Sequence, residues 1–263
     1  MFHLLHIEWL KLKNYRTFWI LAILFMISIF GINYLFHTIM NNDVLKNPTM
    51  TFIIGGPPFQ FPQVWQSIAW VSGLILIIPG LLIVISITNE YSFKTHRQNI
   101  IDGMSRTEFI LVKMLLAVII SIVTTILVFI TAVGFGMAEG GASFTFTGIK
   151  FIGYFFLQAL NYTFVAILIS LLLKRSGVSI GVYFLYSVVI ENMMWGILEK
   201  YTNHLGYYLP LKSANALIPF PFFRTLTRRI IFTPEVMYLL IAFTIYFLFY
   251  FFFSKRRFET SDL

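Results

Sequence analysis

The sequence predicts an all-α integral membrane protein with six transmembrane helices. Three observations carry this. First, 58% of the 263 residues are hydrophobic and only 11% are charged, whereas a soluble domain carries about a quarter charged residues. A mean hydropathy of +0.82 leaves too little polar surface to cover a globule. Second, the apolar residues fall in uninterrupted runs close to the ~20 residues that a helix needs to cross a bilayer. Third, the basic residues behind the +8 formal charge flank these runs instead of forming a soluble face, which excludes a nucleic-acid binder.

The elements follow in chain order, within one domain spanning 1–263. Residues 1–16 predict an interfacial helix. Phe2, Leu5, Trp9 and Leu12 recur at helical spacing, with Glu8, Lys11, Lys13 and Arg16 as its charged members. Such a helix lies at the membrane surface with its cations toward anionic headgroups. The first span is expected at 17–40. It is too long for the apolar core of a cleavable leader, and Lys11, Lys13 and Arg16 precede it,. A loop at 41–64 contains Gly55-Gly56-Pro57-Pro58, which stops any helix. The second span, 65–88, carries Pro79-Gly80, where a kink is expected.

Residues 89–108 form the longest strongly polar stretch. It reads as a span end at Asn89-Glu90, a short helix, a left-handed stop at Gly103, and a capped restart at Ser105 with Glu108 three residues on,. On a helix, Phe93, Arg97, Ile100 and Met104 share one side, a pattern of apolar plugs with a cation that suits docking into a partner's groove. The third span is expected at 109–137. The fourth, 149–173, holds Gln158, Asn161 and Thr163, expected to face other helices. The fifth, 178–198, contains Glu191. Residues 199–234 are apolar yet broken by Pro210, Pro219, Pro221 and Pro234. Non-helical backbone at membrane depth must be covered by protein or line a wet cavity, so short re-entrant or interfacial helices are expected. The sixth span, 235–254, ends in Lys255-Arg256-Arg257.

With both termini inside, twelve Lys and Arg face the cytoplasm and seven face out, in accord with the positive-inside rule. Arg224, Arg228 and Arg229 are on the outer side and, with Glu191, suggest an outer vestibule. The chain has no cysteine, which excludes disulfides and thiol chemistry. It also lacks a phosphate-binding G-x-x-x-x-G-K-[ST] loop, an H-E-x-x-H and a G-x-S-x-G. No catalytic, cofactor-binding or metal-ligating residues are therefore assigned. Few ionisable groups lie in the spans, unlike proton and ion carriers.

The order Asn89-Glu90, Thr95, Gly103-Met104-Ser105-Arg106 and then Lys113 resembles the coupling-helix region of ABC-2 type transporter permeases. Glu8-Trp9-Leu10-Lys11-Leu12-Lys13 is similar to that family's interfacial connecting helix. One departure is Lys94, where the family often has glycine. The resemblance implies a permease of an ATP-driven exporter of a hydrophobic or amphipathic substrate (lipid, glycan, peptide or drug). It implies an inner-membrane location, two copies of a separate ABC ATPase subunit carrying ATP and Mg, and a second permease copy or paralogue. Membrane lipid is the remaining partner, and nucleic acid is not one. It further implies that Glu90, Phe93, Lys94, Thr95, Arg97, Ile100, Ile101, Met104 and Arg106 form the ATPase-coupling region. The alternative is an ATP-independent secondary carrier or membrane assembly scaffold.

Overall fold

The structure is a computed structural model that describes residues 2–41, 56–140, 143–222 and 232–260. Regular structure among them is entirely helical: α1 (Phe2–Lys13), α2 (Arg16–Ile39), α3 (Val64–Gly73), α4 (Ile77–Ser92), α5 (Thr95–Ile101), α6 (Arg106–Ala138), α7 (Lys150–Leu173), α8 (Ser176–Phe184), α9 (Glu191–Tyr201), α10 (Pro210–Asn215) and α11 (Val236–Glu259). A π-helical stretch, Leu185–Ile190, joins α8 to α9. Five helices are long and apolar enough to cross a membrane: α2, α6, α7, the continuous Ser176–Tyr201 and α11. The pair α3 and α4, bent by 44°, passes the same test when taken together, which gives five to six crossings among the described residues. The chain is an all-α membrane protein.

The central helix is α7. In its most apolar stretch 67% of the residues are buried, against 17% in α2, in Ser176–Tyr201 and in α11. Its sequence explains this position. Ala159, Ala166 and Ser170 are small and fully buried, which allows close helix approach. Its polar residues find partners, as buried polar groups in lipid must. Gln158 Nε2 donates to Asn215 Oδ1 at 2.8 Å, and Asn161 Nδ2 donates to the Pro210 carbonyl at 2.7 Å. Thr163 Oγ1 lies 3.2 Å from Ser121 Oγ on α6. Around α7 pack α3, α4, α6, α8, α10 and α11. The outward faces of α2, α9 and α11 present large apolar side chains such as Ile27, Phe30, Met193, Met237 and Phe252.

The second span breaks one turn earlier than the Pro79-Gly80 pair itself. Pro79 has no N–H to offer the Ile75 carbonyl, and its ring crowds that carbonyl. Ile75 therefore accepts from Ile78 at 3.1 Å, and residues 74–76 take three successive tighter i→i+3 bonds of 3.2–3.4 Å. Gly80 serves a different purpose. A Cβ there would lie 1.7 Å from the Tyr183 hydroxyl, so glycine makes room for the hydroxyl end of the fully buried Tyr183 of α8 against α4.

The segment after the fifth span folds into two short helices, a 3₁₀ turn at Leu205–Tyr208 and α10. Pro210 begins α10, where its missing N–H costs nothing. Glu191 Oε1 accepts from the Lys212 backbone N–H at 2.6 Å, so Glu191 holds the start of α10 in place. Arg224, Arg228 and Arg229, expected beside it, lie outside the described residues. At the same end of the bundle as the α2 C-terminus, His37 Nε2 and Asn41 Nδ2 each reach Glu139 at 2.6 Å, tying α2 to the end of α6.

A buried ion cluster beside an exposed helix

The candidate site lies at the other end of the bundle, where α1, the end of α4, α5 and the start of α6 meet. The turn between α4 and α5 is made by Lys94, which adopts φ 56°. This is the left-handed region that favours glycine. Lys94 thus holds the backbone shape that glycine gives at the position where the resemblance leads one to expect it. After α5, Gly103 takes φ 100° and ends the helix. Ser105 and Glu108 then form a capping box at the start of α6. The 33 residues of α6 span about 50 Å, well beyond the ~30 Å hydrocarbon core. Its first turns can therefore stand clear of the membrane.

Four charges converge here. Lys113, two turns into α6, is 1% exposed; Glu8 and Glu90 are 3% and 5% exposed. The Lys113 ammonium donates to Glu90 Oε1 at 2.7 Å and to Glu8 Oε2. Lys11 closes the ring from the rim, donating to Glu8 Oε1 at 2.9 Å and to Glu90 Oε1 at 2.8 Å. Two cations meet two carboxylates, so the buried charge sums to zero. Isolated, each would cost several kcal/mol to bury. Burial pushes the Glu8 carboxyl up, but the Lys113 and Lys11 ammonium groups outweigh it and hold Glu8 below its usual value,. Burial likewise pushes the Lys11 ammonium down, and Glu90 and Glu8 together hold it above its usual value. The cluster borders a cleft of about 280 Å³ between α1 and the α4–α5 turn, with Tyr15, Asn89, Phe93 and Thr95 in its walls.

Glu8 and Lys11, expected at the membrane surface with Trp9 and Lys13, lie on a different side of α1 from them. Glu8, Lys11 and Leu12 face inward, whereas Lys13 is exposed and Trp9 is 47% exposed. The Trp9 ring packs edge-on against Trp19, whose Nε1 donates to the Lys13 carbonyl at 2.9 Å.

The stripe expected through Phe93, Arg97, Ile100 and Met104 also divides. Phe93 is 73% exposed and Ile101 is 77% exposed. Lys94, Thr95 and Arg97 are exposed with them. Ile100 and Met104 instead pack half-buried against the core. The outward residues are Phe93, in the turn before α5, and Arg97 and Ile101, at i and i+4 on α5 itself. Arg106 turns toward the end of α11, where its guanidinium donates to the Glu259 carbonyl, and Thr107 Oγ1 donates to Glu259 Oε1 at 2.7 Å. Phe109 stacks on Phe258 with ring centroids 4.5 Å apart.

Two further residues belong here that sequence reasoning did not single out as parts of a site. His96 is buried, and its Nδ1 donates to the Glu90 carbonyl at 2.9 Å,. Its ring lies 4.5 Å from that of Tyr91. Lys113 closes the ordered set that resembles the coupling region, and as a cation inside a span it asks for a buried partner. Glu191 lies at the far end of the bundle, away from this cluster.

A family model for ABC-2 family transporter proteins matches residues 4–190, which includes α1, the four charges and α5. No curated protein matches the chain. The matched region is more than two thirds of the sequence; it covers α2, the bent pair α3–α4, α6 and α7 and enters the Ser176–Tyr201 helix. The chain therefore belongs to the ABC-2 transporter family, as a multi-pass membrane permease of an ABC transporter.

Proposed function

We propose that this permease is driven by a separate ABC ATPase, with α5 as the element that the ATPase grips. The observation that carries the reading is the exposed face of Phe93, Arg97 and Ile101, set directly against the buried ring of Glu8, Lys11, Glu90 and Lys113. A protruding apolar–cationic face on a short helix fits a groove in a partner. The ion ring behind it ties α1, α4 and α6 together, so displacement of α5 reaches three helices at once. In this reading the α5 end is cytoplasmic, both termini lie on that side, and the membrane is the inner one. Two permease copies, or one with a paralogue, work with two ATPase subunits. ATP and Mg bind to the ATPases, and a hydrophobic or amphipathic molecule is exported.

The test is co-purification with the cognate ATPase. Wild type is expected to retain the ATPase and to alter its turnover. Phe93→Asp and Arg97→Glu are expected to release it while the permease still elutes as a folded species. Retention of the ATPase by both variants rules out α5 as the grip.

A further inference from the structure

Two cavities on the side of the molecule away from the ion ring share a wall made of Trp70, Lys212 and Asn215. The first, about 320 Å³, is walled by rings: Trp195, Tyr207, Phe220 and Phe232 join Trp70. The second, about 300 Å³, is more polar and is faced by Gln158, Tyr162, Ser187 and Asn192. Each is of a size that small-molecule sites fill, about 300–1,000 Å³.

Three of the places where the regular spans are interrupted line the second cavity. Gly73 and Leu74 come from the break in the second span, Ser187 and Val188 from the π-helical stretch, and Lys212 and Asn215 from α10. Irregular backbone is tolerated at membrane depth where it borders a cavity, and π-helical insertions frequently mark functional positions.

Among the described residues, Lys212 is the one charged side chain lining either cavity. Its ammonium sits 4.8 Å from the centroid of the Trp195 ring, and it forms no ion pair among the described residues. Glu191 engages the Lys212 backbone N–H instead. Burial pushes the Lys212 ammonium below its usual value, with nearby Glu191 opposing; an anion at the ammonium would relieve that cost. Beside it, the Trp195 Nε1 is buried and has no hydrogen-bond partner among the described residues. A cation and an unused N–H donor thus border an aromatic cavity, and a buried donor left unmet costs about 1–3 kcal/mol.

We propose that the aromatic cavity, with the polar one behind its wall, binds an amphiphile with a single acidic group, a carboxylate or a phosphate. The acidic group sits at the Lys212 ammonium and the Trp195 indole N–H, and the apolar body lies against Trp70, Tyr207, Phe220 and Phe232. That this amphiphile is the transported cargo rests on the ATP-driven permease reading; its binding does not.

The test uses the full chain in nanodiscs and reads tryptophan quenching by three brominated probes of equal chain length: dibromostearate, the corresponding lysophosphatidate and the corresponding fatty alcohol. Saturable quenching by one or both acids, at least about tenfold tighter than by the alcohol, is expected. The acid that binds identifies the head group. Lys212→Gln is expected to lose that preference and Lys212→Arg to keep it, with unchanged elution and thermal midpoints showing that both variants are folded. Equal affinity for acid and alcohol, or an undiminished preference in Lys212→Gln, overturns the proposal. In the complex with the ATPase, the bound acid is expected to raise ATP hydrolysis in wild type and not in Lys212→Gln. Acid-selective binding that leaves hydrolysis unchanged keeps the site and overturns its assignment to cargo.

Discussion

The Lys113 ammonium lies 2.7 Å from the Glu90 carboxylate, each on a helix leading into α5 from opposite ends. Because Lys113 also meets Glu8, 105 positions away in sequence, removing it leaves two buried carboxylates with only the rim cation Lys11. Lys113→Met is expected to cost about 3–5 kcal/mol, the usual effect of breaking a buried pair from one side. Unfolding in detergent measures it. Adding Glu90→Gln is expected to recover part of the loss, since it removes the uncompensated charge.

The same ring has a defined pH window. The folded Glu8 value lies below the 4.5 of the free group, so its contribution is complete above that value and fades as pH falls through the depressed one. The folded Lys11 value lies above 10.5, so its contribution is complete below that and is lost as pH climbs through the raised value. Docking of α1 is thus insensitive to pH throughout the neutral range. A spin label at His6→Cys, the single thiol in a cysteine-free chain, is expected to show constant mobility from about pH 6 to 9 and to loosen only in acid below the ordinary carboxylate range.

Neighbouring isoleucines on α5 are expected to behave differently. Ile101 is 77% exposed, whereas Ile100 is packed against the core. Ile101→Asp is expected to abolish ATPase retention with a stability change within about 0.5 kcal/mol. Ile100→Asp puts a charge into an apolar contact and is expected to cost about 1–3 kcal/mol. Pull-down and thermal midpoint, measured on both variants, separate the two roles.

Gly80 is expected to tolerate no side chain. Its Cβ would lie 1.7 Å from the Tyr183 hydroxyl and 2.3 Å from the ring carbon bearing it. Gly80→Ala therefore forces α4 and α8 apart at a cost of about 1–3 kcal/mol. Tyr183→Leu in that background is expected to restore part of it, as read by thermal unfolding, because the clashing atoms are gone.

Much of this architecture is legible from local pattern. The crossings show because bilayer-length apolar runs have few competing explanations. The cap at Ser105 and Glu108 and the stop at Gly103 show because their chemistry lies within a few residues. The ion ring does not show, since nothing in the spacing of Glu8 and Lys11 says that α1 folds back onto residues 90 and 113. The exposed side of α5 does not show, for a related reason. Its seven residues are too few to set a period, and their phase is fixed by the left-handed turn at Lys94, which a lysine does not advertise. Pro79 announced a break, but its position follows from the carbonyl four residues earlier.

That break gives the second span two working parts. Its near half, α4, runs from Glu90 to the contact with Tyr183 and bears on α7 and α8; its far half, α3, bears on α6 and α7. An unbroken rod would carry a push at Glu90 straight to the opposite surface. Under the proposed ATP-driven reading, a rod jointed at Leu74 would act as a crank: force entering at the ion ring would be turned sideways against the fifth span while α3 stayed seated in the bundle.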